Sequence, residues 1–322
     1  MKGRLPEPGR LWIRYAPREW PAPDAFWVDL ASARLGRSAP PGGAPENLPD
    51  LGSEPLDDLL YLPPVAPERA AARDALARAR LAAGTPVLVQ VLAGDPPPEV
   101  PGAVVVLDPF DGLLAGGLAG LDRLPAGAAA VWPLVAGLTD DPALWDAGCA
   151  RLAAAGAAVV QPLALELDPA DRRRLVERCG EAAFDPLFHQ ADPSTATERA
   201  FARIAARHGL SPFLPRPLPP PPDAASFWSA GAANRRLGGD LALAGELWLR
   251  LGRPAGQGQA LYAAARQADR TAYDLAGLSR ERNLAALSWL DAAGREIVEE
   301  GAAGRAPALL AALLAEYVGP AS

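Results

Sequence analysis

A repeated pattern constrains the fold of this chain more than any other feature of its sequence. A short apolar run is followed by a turn, a helical stretch and a glycine, and the next apolar run then begins. Residues 130–164, AVWPLVAGLTDDPALWDAGCARLAAAGAAVVQPLA, contain one complete unit. Apolar runs of this length and branched composition are typical of strands that are covered on both faces. Their alternation with helices predicts an α/β fold with a parallel sheet.

Several such runs precede residue 190. We predict strands over residues 10–16, 25–31, 86–93, 103–109, 129–135, 157–165 and 182–189. This number of strands, together with the lack of a glycine-rich nucleotide-binding turn, favours a (β/α) barrel-like domain over a doubly wound sheet. The barrel is either complete or irregular and incomplete.

The predicted helices between these strands carry start and stop signals. Asp141 and Asp168 are each followed by a proline, which is the pattern of an N-cap and a first helical residue. Ser194 or Thr195 is the predicted cap of a third helix, with Glu198 completing a capping box. Each helix is predicted to end at a glycine: Gly156, Gly180 and Gly209.

The pattern changes after residue 211. Residues 212–223, PFLPRPLPPPPD, contain seven prolines in twelve positions and predict an extended, semi-rigid linker. A proline motif that binds an aromatic groove of a partner is the alternative. The chain beyond it shows only helical periodicity, with Leu237, Leu241 and Leu247 on one stripe. We therefore predict a (β/α) barrel-like domain over 1–211, a proline-rich linker over 212–223 and a smaller all-α helical domain over 224–322.

Composition and charge exclude several classes of protein. Half of the 322 residues are hydrophobic, which is enough to form a core and excludes a globally disordered chain. The formal net charge is −7 and no basic stripe offsets it, so we expect no nucleic-acid partner. No window approaches the roughly 18 apolar residues of a membrane span, and the first residues lack the apolar core of a signal peptide. We therefore expect a soluble, cytoplasmic protein.

The candidate functional residues lie where the predicted strands end, because the active site of a (β/α) barrel lies at the carboxyl ends of its strands. A polar side chain in an apolar strand must be hydrogen-bonded or belong to a site, since its desolvation is unfavourable. By this criterion the candidate catalytic residues are Asp108, Glu166, Asp185 and His189, and the candidate ligand-binding residues are Arg14, Gln90 and Gln161.

Several candidates have a structural alternative. Asp108 and Asp185 each precede a proline, and an Asp-Pro pair after a strand is common turn chemistry in which the carboxylate accepts from the next backbone amides. His189 with Asp185 and Asp192 makes a poor ligand set for a transition metal, so we expect no metal site. His208 is interpreted as a helix C-terminal residue favoured by the helix dipole.

The chain has two cysteines, Cys149 and Cys179, and both fall on predicted helices. Their spacing is not that of a metal site. A disulfide and a pair of reduced, packed thiols are both open, and we expect the thiols. Helical phase puts Cys149 beside Trp145 and Leu152, so we expect it to pack as a small apolar residue.

Residues 132–165, WPLVAGLTDDPALWDAGCARLAAAGAAVVQPLAL, are similar to the later strands of radical-SAM barrels. In those proteins a strand ends in a Pro-Gly-(Leu/Ile)-(Asn/Thr)-Asp turn before a helix, and FDPLFH…ERAFARIAARHGL resembles their closing strand and helix. The resemblance covers about eighty residues. It implies a barrel that carries an iron-sulfur cluster on a CxxxCxxC motif, with S-adenosylmethionine beside it. This chain lacks that motif and has too few cysteines, so the resemblance implies a cluster-free relative with no cofactor.

Two functions follow from these patterns. The first is a non-catalytic or degenerate barrel that acts as an accessory, scaffold or binding protein for a protein partner or a small-molecule ligand. The alternative is an enzyme that acts on a small polar molecule, with His189 or Glu166 as acid or base at the carboxyl ends of the strands. The two differ in whether the candidate side chains meet in one pocket.

Overall fold

The computed structural model describes residues 11–14, 25–26, 28–30, 34–35, 58–82, 87–118, 120–121, 124, 128–214 and 228–319. Within these ranges the strands are β1 (Leu11–Arg14), β2 (Val28–Asp29), β3 (Arg34–Leu35), β4 (Asp58–Leu62), β5 (Val87–Leu92), β6 (Val104–Asp108), β7 (Ala129–Leu134) and β8 (Val159–Ala164). Six of them form one parallel sheet in the order β1-β4-β5-β6-β7-β8, and β2 pairs with β3 in antiparallel orientation. The predicted parallel α/β architecture is confirmed.

Each strand of the main sheet lies beside its nearest sheet neighbour in the sequence. Right-handed crossovers are the rule between consecutive parallel strands, and the helices that connect β4 to β5 and β7 to β8 pack on the same face of the sheet. This winding differs from a doubly wound sheet, in which the strand order reverses at a switch point. The chain returns to the sheet beyond β8, where Ser211 bridges Val159 in parallel and the N–H of Val160 donates to the Ser211 carbonyl at 2.9 Å.

The strand predictions are confirmed for β5 to β8, and the predicted strand over 10–16 contains β1. The prediction over 25–31 contains only the two residues of β2, which lie outside the parallel sheet. The sequence pattern misses β4, whose apolar run of four residues is short and follows two aspartates.

The strand predicted over residues 182–189 is wrong. Residues 181–183 form a 3-10 turn, and residues 184–189 form a short helix. Ala183 and Leu187 are buried while Phe184 and Asp185 are exposed, so burial repeats every four residues and not every two. Pro186 is tolerated because the first turn of a helix does not use its backbone donors.

In the helices that precede the proline-rich segment, the predicted N-cap residues are confirmed, and one predicted capping box is wrong. They are α1 (Ala70–Ala82), α2 (Phe110–Leu114), α3 (Pro142–Ala154), α4 (Pro169–Cys179), α5 (Phe184–His189) and α6 (Thr195–Arg207). Asp141 accepts from the N–H of Ala143 at 2.9 Å, and Asp168 caps α4 in the same way. The predicted capping box with Glu198 is wrong, because the N–H of Ser194 donates to the hydroxyl of Thr197 at 3.1 Å instead.

The described residues beyond the proline-rich segment are helical, as predicted. The helices are α7 (Trp228–Arg250), α8 (Ala255–Arg270), α9 (Leu275–Arg280), α10 (Ala292–Ala302) and α11 (Ala308–Val318). The predicted stripe of Leu237, Leu241 and Leu247 on α7 is buried among them. Residues 215–227 lie outside the described ranges, and with them most of the predicted linker over 212–223, so the domain boundary stays a prediction.

The main sheet has an apolar core on each face. On one face α1, α3 and α6 pack against the strands, and Phe201 of α6 lies 5.5 Å from the rings of both Trp132 and Trp145. On the other face, which we call the inner face, Leu187 of α5 and Leu175 of α4 pack with residues from β4 to β8. Both faces of the sheet are therefore covered, which explains the nearly continuous apolarity of its strands.

Helix α6 joins the sheet to the C-terminal helices. Its residues Phe201 and Ala205 belong to the core at the sheet, while Ala202 belongs to the core of α7 to α11. The carboxylate of Glu198 accepts from the N–H of Ala164 at 3.1 Å and from the guanidinium of Arg250 at 2.6 Å. The C-terminal helices are thus held against the sheet through one shared helix.

The surroundings of Arg250 stabilise the charged form of its guanidinium group. Burial opposes the ionised form, but the carboxylates of Glu246, at 2.7 Å, and Glu198 outweigh it and raise the pKa of Arg250. Burial also raises the pKa of Tyr317, whose hydroxyl lies 3.4 Å from the same guanidinium. This cluster connects β8, α6, α7 and α11.

Replacement of Gly148 tests the packing of α3 on the sheet. A β-carbon there would lie 2.2 Å from the indole of the buried Trp132, so Gly148→Ala is expected to lower the free energy of unfolding by about 1–3 kcal/mol. The control Gly256→Ala, also in a helix, meets no atom within 4 Å and is expected to be neutral or stabilising, by up to about 1 kcal/mol. Urea denaturation measures both, and equal effects would contradict this packing.

Replacement of Glu198 tests the joint between the sheet and the C-terminal helices. Glu198→Ala leaves the Ala164 N–H without its acceptor and removes one of two carboxylates from Arg250, so we expect a loss of about 3–5 kcal/mol. The control is Glu316→Ala, which breaks an exposed pair with Arg253 and should change stability by about 0–1 kcal/mol. A Glu198→Ala variant as stable as this control in denaturant titration would refute the assignment.

Candidate functional site

Two predicted site residues meet on the inner face of the sheet. Gln90 of β5 and Asp108 of β6 are fully buried, and the side-chain amide of Gln90 donates to the carboxylate of Asp108 at 2.8 Å. Tyr61, at the end of β4, donates its hydroxyl to the carbonyl oxygen of the Gln90 side chain. One hydrogen-bonded chain therefore crosses three neighbouring strands, and we call Tyr61, Gln90 and Asp108 the inner-face triad.

Backbone groups bind both ends of the inner-face triad. The N–H of Phe110 donates to Asp108 at 2.9 Å, which is the Asp-Pro turn chemistry expected from the sequence. The N–H of Leu30 approaches the Tyr61 hydroxyl at 3.4 Å. Apolar side chains from neighbouring strands surround the triad, among them Leu88, Val106 and Val131. The hydrogen bonds within the triad and to these backbone groups give its polar atoms partners inside a core, as buried polar groups require.

The sequence predicts Gln90 and Asp108 as site residues but does not predict Tyr61. Gln90 and Asp108 interrupt clear apolar runs, whereas Tyr61 lies within the short run of β4, which the pattern did not reveal as a strand. A tyrosine at the end of a buried strand needs a partner for its hydroxyl. That requirement is the one feature from which Tyr61 could have been found.

Gln161 and Arg14 are the two other predicted ligand-binding residues. The side-chain oxygen of Gln161, on β8, accepts from the N–H of Leu214 at 3.1 Å and so holds the returning chain at the sheet. The backbone of Arg14 is in register with Tyr61, and its side chain lies outside the described part of the structure. Neither observation adds a group to the inner-face triad.

The remaining candidates are exposed. Glu166 lies in the loop after β8, and Asp185 and His189 lie on α5. The His189 ring meets the ring of Phe184 edge-on at 5.8 Å, and Phe184 stacks on Phe188 at 4.7 Å. The predicted catalytic set is therefore divided between a buried triad and exposed positions.

Helix α5 is held firmly beside the end of β7. Pro186 lies so close to Gly137 that a β-carbon there would approach the proline ring to 2.2 Å. Arg172 of α4 donates to the carbonyl oxygen of Leu187 and pairs with both carboxylate oxygens of Asp192, at 2.7 and 2.8 Å. Because this clamp fixes its inner side, α5 presents Phe184, Asp185 and His189 outward, while Phe188 is half-buried and also packs against the inner-face core. We call these four residues the α5 outer face.

Other charged groups near the sheet have structural partners. Asp111 pairs with Arg178 at 3.2 Å and also accepts from the N–H of Phe26 at 3.3 Å. His208 follows α6 as its C-cap, as the sequence indicates, and its ring nitrogen lies 2.9 Å from Asp146. The hydrogen bond with His208 lowers the pKa of Asp146. These pairs orient helices at the surface.

Neither thiol is placed for chemistry. Cys149 is fully buried with Trp145 and Leu152, as predicted, and burial raises its pKa to about 12. Cys179 is half-buried, and burial raises its pKa as well.

Among the described residues no group of three His, Cys, Asp or Glu side chains is arranged to hold a metal ion. No helix in the described ranges is both long and apolar enough to cross a membrane.

Comparison with known proteins places this chain in no established group. No family model matches it, and no curated protein or solved structure is significantly similar to it. Its function is therefore inferred from its own residues.

The two Asp-Pro carboxylates provide a matched test of the inner-face triad. Asp108→Ala removes the acceptor of the Gln90 amide and of the Phe110 N–H in a buried setting, so we expect a loss of about 2–5 kcal/mol in unfolding free energy. Asp185→Ala, at an exposed position, should stay within about 0.5 kcal/mol of wild type. Denaturant titration distinguishes them, and a stable Asp108→Ala variant would show that the triad is not structural.

The raised pKa of Cys149 predicts that its thiol does not react with thiol reagents in the folded protein. A disulfide reagent such as DTNB reacts with thiolate, which a fully buried thiol with a pKa of about 12 does not supply near pH 8. We expect the folded protein to titrate at most the Cys179 thiol, slowly, and the protein unfolded in urea to titrate both. Rapid reaction of Cys149 in the folded state, identified by peptide mass spectrometry, would contradict its burial.

Proposed function

We propose that this chain is a non-catalytic binding protein. In this proposal the parallel sheet curves as an incomplete (β/α) barrel and serves as a scaffold, and α7 to α11 form an all-α domain packed on it. A protein partner contacts the α5 outer face. The division of the candidate residues between a buried, hydrogen-bonded triad and an exposed helix is the observation that carries the proposal.

The inner-face triad supports a structural role for the polar residues of the strands. A catalytic acid or base must reach its substrate within hydrogen-bond distance, directly or through one water. Gln90 and Asp108 are instead bonded to each other, to Tyr61 and to the backbone, and apolar side chains surround them. The place at which an α/β barrel performs chemistry is here used for packing.

The α5 outer face supports a binding role. Phe184 is 48% exposed although it is a large apolar residue, and it stacks on Phe188 beside His189. Aromatic side chains are enriched in protein interfaces, where they supply most of the binding energy. The clamp by Arg172 keeps this helix in place, so a partner meets a preformed surface.

The enzyme alternative rests on the same helix. Asp185 and His189 stand one turn apart on α5, next to the end of β7, where a substrate of an α/β enzyme would bind. His189 would then act as acid or base. This alternative predicts that His189→Ala abolishes an activity and leaves partner binding unchanged.

Affinity capture from the native cell tests the proposal with two exposed aromatics as a matched pair. Wild-type protein, Phe184→Ser and Tyr273→Ser serve as baits, because Tyr273 is 62% exposed and lies outside the α5 outer face. We expect a partner recovered with wild type and Tyr273→Ser, and at least about tenfold less of it with Phe184→Ser, as for a residue that dominates an interface. Quantitative mass spectrometry reads the yield, and purified partner confirms direct binding. Equal recovery by all three baits would refute the α5 outer face as the contact.

A further inference from the structure

A cleft lies on the C-terminal helices, far along the chain from the candidates at the sheet. The end of α9, the turn at 284–286 and the first two turns of α10 border an open surface cleft of about 570 Å³. Small-molecule sites commonly span about 300–1,000 Å³, so the size is suitable for a metabolite. Leu284, Ala285 and Ala292 give it apolar contacts, and half-buried Ser279 gives it a hydroxyl.

One face of α10 forms a wall of the cleft. Its opposite side buries Ile297 and Val298 in the core of the C-terminal helices, which fixes how the helix is turned. The residues that line the cleft recur at the spacing of a single helical face. They are Ala292, Arg295, Glu296 and Glu299.

Charges of both signs line this cleft without pairing with each other. Arg282 and Arg295 have no carboxylate oxygen within 4.0 Å in the described part of the chain, and the carboxylates of Glu296 and Glu299 have no cationic partner there. Arg295 and Glu299 stand one turn apart, a spacing at which such side chains pair on many helices. The cleft therefore offers two cationic and two anionic groups to a ligand.

One of these charged residues, Arg282, has a strained backbone conformation. Arg282 has a φ of 59° and is the one non-glycine residue with positive φ in the described ranges. It ends α9, with its N–H donating to the Ser279 carbonyl at 3.0 Å and the N–H of Asn283 donating to Leu278 at 2.9 Å. Glycine is the usual residue in such a helix end, because a β-carbon is unfavourable there.

The other helix ends of this kind in the described chain use glycine. The residues with positive φ that follow α2, α3, α6, α7 and α10 with the same pair of backbone hydrogen bonds are Gly116, Gly156, Gly209, Gly252 and Gly304. Strained residues are concentrated at sites where a side chain has a function. At Arg282 the strain brings a guanidinium to the cleft.

We propose that the cleft binds a small zwitterionic molecule of the amino-acid or short-peptide type. Its carboxylate contacts Arg282 and Arg295, and its ammonium group contacts Glu296 and Glu299. Equal numbers of positive and negative groups favour a dipolar ligand over a polyanion or a polycation. The site is separate from the α5 outer face, so it stands independently of the proposed function.

Thermal shift and calorimetry with defined probes test this site in the full-length protein. The probes are the free L-amino acids and glycylglycine, and the uncharged controls are the N-acetyl amides of the same amino acids. A ligand that binds the folded state raises Tm, so we expect a rise with at least one zwitterion and none with its uncharged analogue. Calorimetry then gives the Kd of that zwitterion. If no probe binds, or if the uncharged analogues bind equally well, the proposal is overturned.

Arg282→Gly separates binding from folding. It relieves the left-handed strain, so Tm without ligand should not fall, while loss of a charge-assisted hydrogen bond should weaken Kd by about tenfold or more. Arg295→Met should weaken Kd to a similar degree. Arg305→Ala, which lies beyond α10 and does not line the cleft, is the control and should retain wild-type affinity. Wild-type Kd in both Arg282→Gly and Arg295→Met would overturn the proposal.

Discussion

The ion pair between Glu198 and Arg250 joins two parts of the molecule that are distant in sequence. A buried carboxylate is tolerated only when its charge is compensated and its oxygens accept hydrogen bonds. Glu198 meets both conditions by accepting from the end of β8 and from the end of α7. The orientation of the C-terminal helices depends on it, because α6 carries Glu198 and contributes to both cores. Arg199, the next residue, donates to the carbonyl oxygens of Glu316 and Tyr317 and adds α11 to the same joint.

The inner face of the sheet illustrates how the same residue types serve either packing or chemistry. Three polar side chains on one face of neighbouring strands would make an active site if they faced solvent with free lone pairs. In this protein Tyr61, Gln90 and Asp108 bind one another, and helices α4 and α5 help to cover that face. A network in a low-dielectric core gains strength from full satisfaction, and it fixes the relative positions of β4, β5 and β6. These hydrogen bonds therefore hold the three strands together on the inner face of the sheet.

Two features of the surface are locally unfavourable for folding. The exposed ring of Phe184 leaves apolar area in water, and the left-handed backbone of Arg282 carries a β-carbon where glycine is more stable. Both lie on elements that the rest of the structure holds firmly, α5 by Arg172 and the turn after α9 by its own backbone hydrogen bonds. A surface that is rigid and locally unfavourable is suited to binding, because the partner or ligand recovers the free energy that folding does not.

The sequence by itself determined the local elements and the class of the fold. The N-caps Asp141 and Asp168, the strands β5 to β8 and the buried stripe of α7 follow from short-range chemistry, in which a few adjacent residues satisfy or bury one another. Tertiary structure decided the features that depend on contacts between residues distant in the sequence. It placed Glu198 in an ion pair with Arg250 and not in a capping box, and it made residues 184–189 a helix, since their apolar positions meet the sheet at a spacing of four. It also paired Gln90 with Asp108, eighteen residues apart in the sequence, because the register of β5 and β6 sets Gln90 opposite Val106 and therefore diagonal to Asp108 on the same face. No pattern within either strand specifies that partner.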